Sequence, residues 1–194
     1  MLASVLGIRP ARSLWVFAYG SLVWRPGFRF VARMPAHLHG WHRAFCIRSV
    51  HWRGTAEHPG LVLGLDRGGR CRGVAYRVAA RDALATLHYL RARELVTGVY
   101  AERMRPVVTP QGTVAALCYV SERSHAQYAG RLGPAQVAER IRHARGVGGT
   151  GPDYLRDTRA GLLREGIRDP MLEAVWHALH APAADASRSG STRN

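Results

Sequence analysis

Lysine is absent from this 194-residue chain, and all 28 of its basic residues are arginine. Acids are scarce as well, 13 in all, which leaves a formal charge of +15 at pH 7. Such an excess usually signals a polyanionic partner, through counterion release and long-range steering. Here the arginines are scattered rather than gathered into a run, and their uniform use in place of lysine reads as a coding bias of the source genome. No zinc-finger spacing, helix-turn-helix or RNA-binding aromatic motif accompanies them. No specific nucleic-acid partner is therefore expected, and nucleic-acid binding stands second to an enzyme as a function class.

Cysteine is equally sparse. Cys46, Cys71 and Cys118 are an odd number with no close pair, which argues against a disulfide framework or a cysteine metal site and for reduced, buried thiols. Cys46 lies four residues after His42, but side chains so spaced in a strand are separated and no third orienting group is evident, so a catalytic thiol is not expected. No apolar run reaches the length of a membrane span, so no membrane partner is expected. Residues 1–8 lack the leading positive charge and long apolar centre of a secretion signal, and a cytoplasmic protein is expected. No internal repeat is present, and nothing specifies an oligomeric state.

Two segments carry the chemistry. Residues 14–19 are continuously apolar and aromatic, as in a strand covered on both faces, and Gly20-Ser21 follow at its end. Glycine lets a ligand approach the backbone N–H groups closely, and Ser21 adds a hydroxyl at the same place. The bland alternative is a strand-ending turn with no ligand. The second segment is a helix predicted over 83–95, with Asp82 as its N-cap, Leu84, Leu87 and Leu90 as its stripe, and Thr97-Gly98 as its stop. Glu94 falls one turn after Leu90 and nearly below Leu87, so it is expected to face inward. Burial and the negative end of the helix dipole both disfavour its charge and raise its pKa, as a general base near neutral pH requires. A structural alternative pairs Glu94 with Arg91 or Arg93 at a rotated, solvated helix end.

Elsewhere the chain reads as mixed helix and strand. Strands are predicted at 14–19, 44–50, 61–65, 73–78, 104–108 and 114–120, and helices at 83–95, 134–144, 152–163 and 170–179. Strands fill the first two-thirds and helices close the chain, which favours an antiparallel or mixed sheet over a βαβ repeat. Residues 146–151 are glycine-rich, but they lack the lysine and preceding strand of a phosphate loop and read as a linker into a helix with Pro152 in its first turn. His37, His39, His42, His51 and His58 crowd one region with only Glu57 as a nearby acid, so solvated or locally bonded histidines are expected rather than a metal site. One domain over 13–180 is expected, with flexible tails at 1–12 and 181–194.

Several motifs in a fixed order go further. WVFAYGSLVW at 15–24, GWHRAF at 40–45, Arg53-Gly54-Thr55, Pro59-Gly60-Leu61-Val62, Gly73-Val74-Ala75-Tyr76-Arg77 and YLRARELVTGVY at 89–100 together resemble the ChaC family of γ-glutamylcyclotransferases that act on glutathione. The resemblance is close from residue 15 to about 120 and continues loosely through 148–155. Ala18 stands where the family usually carries glycine, a departure that bears on the width of the turn and not on the chemistry. What the resemblance implies is an α+β fold, a small mixed β-barrel flanked by helices, and cleavage of glutathione to 5-oxoproline and Cys-Gly with no cofactor. It implies Glu94 as the base and Val16, Phe17, Ala18, Tyr19, Gly20, Ser21 and Leu22 as the segment that holds the γ-glutamyl group, with Arg43 and Tyr100 as weaker candidates. A cyclotransferase for other γ-glutamyl compounds is the nearest alternative.

Overall fold

The computed structural model describes residues 13–182. The tails expected at 1–12 and 181–194 lie outside the described residues, apart from Ala181 and Pro182. Five strands close into a barrel: β1 (Leu14–Ala18), β2 (Ala32–Ser49), β3 (Gly60–Val78), β4 (Tyr100–Thr109) and β5 (Gly112–Ser121), in the order β1-β3-β2-β4-β5. All neighbours are antiparallel except β1 and β5, which pair in parallel through Trp15 with Ala116 and Val16 with Leu117 and seal the barrel. The fold is the expected mixed barrel flanked by helices.

The ribbon of β2 and β3 is longer than expected. Residues 61–65 and 73–78 belong to one strand, and β2 begins at Ala32 rather than at 44. The middle of β3, Arg67 to Arg70, is exposed and polar, so a search for apolar runs passes over it. The register shifts between His39 and Trp41, where Gly40, Gly68 and Gly69 all take positive φ, and a bulge there bends the ribbon.

Helix α1 (Ala80–Glu94) follows β3. Its N-cap is Ala79, and Asp82 sits in the first turn with its N–H donated to the Ala79 carbonyl at 2.9 Å, so the expected Asp82 cap is corrected. The stripe shifts too. Ala83, Leu87 and Leu90 are buried, whereas Leu84 is 54% exposed. Residues 83, 87, 90 and 94 follow the helical period, which keeps Glu94 in line with the buried face.

The later helices are α2 (Pro134–Arg142), α3 (Gly151–Arg164) and α4 (Pro170–His180). Each has proline in its first turn. Gln136 caps the first at Gly133 N, the Thr150 side chain accepts from Asp153 N, and that of Asp169 accepts from Met171 N and Leu172 N. The 146–151 linker forms a two-rung hairpin, β6 (Arg145–Gly146) with β7 (Gly149–Thr150), directly before α3. All three cysteines are free and buried, and burial pushes the thiols of Cys46 and Cys71 up to about 11. No helix among the described residues is long and apolar enough to cross a membrane.

Candidate active site

Where β1 ends, Tyr19 and Gly20 lead into a short 3-10 turn, Ser21–Val23. Val23 N donates to the Gly20 carbonyl at 3.0 Å and Arg25 N to that of Ser21 at 2.8 Å. No backbone acceptor among the described residues meets the N–H groups of Ser21 and Leu22, which open the turn. Gly20 is tightly enclosed: a side-chain carbon there would lie 3.3 Å from the Tyr154 hydroxyl and 3.8 Å from Leu63 Cβ.

The turn forms part of the wall of a cavity of about 400 Å³, and Glu94, the last residue of α1, lines the same cavity. The Glu94 side chain keeps 17% of its surface exposed. Desolvation raises its pKa, and the neighbouring Arg93 pulls the other way. Arg93 Nε is 3.1 Å from Glu94 Oε1, while its terminal nitrogens donate to Ser21 Oγ at 2.8 Å, the Arg25 carbonyl at 2.7 Å and the Tyr89 hydroxyl at 3.0 Å. One guanidinium thus ties the carboxylate to the turn. Arg91 is not its partner; it forms a bidentate pair with Glu102.

Four tyrosines complete the inner lining. Tyr19 donates to the Tyr119 carbonyl at 2.9 Å, Tyr119 to Glu102 Oε2 at 3.1 Å, and Tyr100 to the Leu63 carbonyl at 2.7 Å, while Tyr154 accepts from Leu63 N at 3.2 Å. Burial holds the hydroxyls of Tyr19 and Tyr100 well above the ordinary phenol value, with the charge of Glu94 adding to the effect, and pushes Tyr154 up to about 12. All three stay protonated at neutral pH; Tyr19 and Tyr100 direct their single proton to the Tyr119 and Leu63 carbonyls, and Tyr154, which only accepts among the described residues, keeps its own for a ligand.

Arg53 is the residue that sequence reasoning overlooked as a site group. It lines the cavity at 8% exposure, stacks 5.4 Å from the Tyr154 ring centre and donates to the Thr150 carbonyl at 3.1 Å. Burial lowers its pKa, and no carboxylate among the described residues pairs with it. The hairpin of β6 and β7 holds its backbone, through Val147 N to the His51 carbonyl at 3.0 Å and Gly148 N to that of Trp52 at 2.9 Å. Its one sequence signal was membership of the Arg53-Gly54-Thr55 motif. Tyr154, on α3, had no signal beyond lying in the loosely resembling stretch.

Of the expected site residues, Tyr19, Gly20, Ser21, Leu22, Glu94 and Tyr100 line the cavity together. Val16, Phe17 and Ala18 are buried in the barrel core behind the turn. Arg43 is also behind it, at 6% exposure: Nε donates to the Tyr19 carbonyl at 2.6 Å, one terminal nitrogen to the Arg72 carbonyl at 2.6 Å, and the other pairs with Asp169. It braces the turn against the start of α4. Cys46 sits off the cavity lining and bonds Ser121 Oγ at 3.3 Å, and His42 engages the Gly68 carbonyl. Among the described residues, no three His, Cys, Asp or Glu side chains gather as a metal site.

The family model described as ChaC-like protein matches residues 14–181. The chain belongs to the ChaC family. Its relatives in that family include the glutathione-specific γ-glutamylcyclotransferase of Escherichia coli, 37% identical over 87% of this chain and 74% of that protein. A second relative, the glutathione-specific γ-glutamylcyclotransferase 1 of Danio rerio, is 34% identical over 87% of this chain and 90% of its own. Among solved structures, the yeast γ-glutamyl cyclotransferase specific to glutathione matches with a TM-score of 0.77 at 21% identity, over 87% of this chain and 97% of that one. At that identity the likeness establishes the ChaC fold alone.

Proposed function

We propose that the chain cleaves glutathione to 5-oxoproline and cysteinylglycine, as a γ-glutamylcyclotransferase with Glu94 as general base. What carries the reading is one observation: a largely enclosed carboxylate with a raised pKa shares a ligand-sized cavity with the Tyr19–Leu22 turn. The glutathione-specific γ-glutamylcyclotransferases among its family relatives support it.

The chemistry asks little of the protein beyond placement. The substrate's own α-amine attacks its γ-carbonyl, so the new C–N bond closes a five-membered ring and the amide bond to cysteine breaks. The protein must take a proton from the α-ammonium, hold the chain folded, and steady the oxygen on which charge develops. Glu94 takes that proton and passes it to the departing amine. The free N–H groups of Ser21 and Leu22 and the hydroxyl of Tyr154, whose proton no group among the described residues takes up, are the donors for the oxyanion and the γ-glutamyl group. Arg53, buried without an acidic partner, suits the substrate's α-carboxylate. No step draws on a metal or cofactor. Three unpaired thiols fit a reducing, cytoplasmic setting, where glutathione is abundant.

The test is direct. Purified protein incubated with glutathione should release 5-oxoproline and Cys-Gly in equal amounts, and Glu94→Gln should lower turnover by about 10²-fold or more while remaining folded. A folded Gln variant that turns over at the wild-type rate would remove Glu94 from the chemistry.

A further inference from the structure

This inference rests on the cyclotransferase reading above. Four arginines, Arg25, Arg48, Arg53 and Arg93, line the cavity, against a single acidic residue, Glu94. Among the described residues only Arg93 of the four has an acidic partner. Unpaired cations around one cavity call for more than one anionic group on the ligand. Glutathione has two carboxylates, one beside the reacting amine and one at the far end of its glycine.

The barrel supplies a ruler for the second. Leu63 marks the reacting end, because its carbonyl and N–H engage Tyr100 and Tyr154 and its Cβ lies against Gly20. Arg48 pairs with Leu61, two residues along the same strand. Its backbone therefore lies about 7 Å along the cavity wall from Leu63. Cysteinylglycine is two residues of extended chain, which also span at most about 7 Å.

Arg48 is held at that station. A terminal nitrogen donates to the carbonyls of Ala126 at 2.9 Å and Tyr128 at 3.4 Å, and its backbone is clamped on both sides by Gln127. Gln127, on the same wall, carries the one buried side-chain oxygen among the described residues that lacks a donor. A bound tripeptide would bring a matching donor, the glycyl N–H, two bonds before the terminal carboxylate. We infer that Arg48 receives the C-terminal carboxylate of glutathione and selects substrates that carry a carboxylate two residues beyond the scissile amide.

A γ-glutamyl dipeptide places its carboxylate about one residue, some 3.5 Å, too short. The experiment compares glutathione, its glycine carboxamide and γ-glutamylcysteine as substrates for wild type, Arg48→Met and Arg48→Lys. Wild type should prefer glutathione over the carboxamide by about 10- to 100-fold in kcat/KM, the usual worth of a charge-assisted contact. Arg48→Met should lose that preference, mainly through a higher KM for glutathione, while its rates on the other two substrates stay within about twofold. Arg48→Lys should keep part of the preference. Equal wild-type rates on glutathione and the carboxamide would overturn the inference without need of any variant, as would an equal loss on all three substrates in Arg48→Met, the mark of a merely structural role. If wild type turns over none of the three, the cyclotransferase reading falls and takes this one with it.

Discussion

Glu94 is held by opposing forces, and its pH behaviour follows from them. Desolvation raises its pKa and Arg93 lowers it, with the first effect dominant. In the proposed role of base Glu94 works only when ionised, so the rate should fall with acid through a pKa above the ordinary 4.5 of a glutamate. Arg93→Gln removes the opposing charge, and the acidic limb should move to higher pH. A fall in rate at every pH without such a movement would mean that Arg93 only props up the turn. Stability should change in the opposite sense to activity. A carboxyl whose pKa is raised in the folded state favours folding below its unfolded value and loses that contribution as pH rises through the folded value. Glu94→Gln should therefore melt above wild type at pH 8, and the gap should close in acid. Arg43 has the reverse character. Arg43→Met would leave half-buried Asp169 without its cation and the buried Tyr19 carbonyl without its donor, at a cost of about 3–5 kcal/mol in denaturant unfolding. A loss under 1 kcal/mol would show that the brace is dispensable.

At the scale of elements, the 146–151 segment most changes its meaning. Glycine there could mark a linker, and the segment does link α2 to α3, but its hairpin also packs on the Trp52–Arg53 backbone. A side-chain carbon at Gly146 would meet the Trp52 carbonyl carbon at 2.6 Å and Arg53 N at 2.7 Å. Gly146→Ala should cost about 1–3 kcal/mol and raise the KM for glutathione through displacement of Arg53. Unaltered KM and melting temperature would detach the hairpin from the site. In α1 the inner face was legible from Leu87, Leu90 and Glu94, while Leu84, a strong helix former, is turned outward. Apolar character at one position does not fix its azimuth; the packed neighbours do. In β3 the exposed arginines hid the middle of a strand that is continuous only because it bends at a glycine bulge.

Over the whole molecule, the charge of +15 is partly a construction material. Arg33 and Arg43 pair with Glu165 and Asp169 across more than 120 positions of chain, while Arg91 and Arg159 pair with Glu102 and Glu173 to join consecutive elements. Such pairs suit arginine, whose planar fork matches a carboxylate at two points. The remaining surplus should cause weak adhesion to polyanions that fades with salt. Glutathione cleavage should survive chelator and nuclease, and retention on nucleic acid should be the same in Glu94→Gln as in wild type. Selective binding of one nucleic-acid sequence at physiological salt, with glutathione untouched, would reverse the order of the two readings.

The sequence by itself determined the family, the turn after β1 and the inward side of Glu94, because these depend on short stretches whose period and turn residues act locally. The helix starts at Pro134, Pro152 and Pro170 were legible for the same reason. Only the tertiary structure decided which groups meet. Tyr154 reaches Leu63 across 91 positions, Arg93 reaches Ser21 across 72, and Arg43 reaches Asp169 across 126. It also decided that Arg91 goes to Glu102 and leaves Glu94 to Arg93, and that Arg43 stands behind the turn rather than in the cavity. A long charged side chain has no preferred partner until barrel closure sets which acids and carbonyls lie within its reach and removes the water that would otherwise serve.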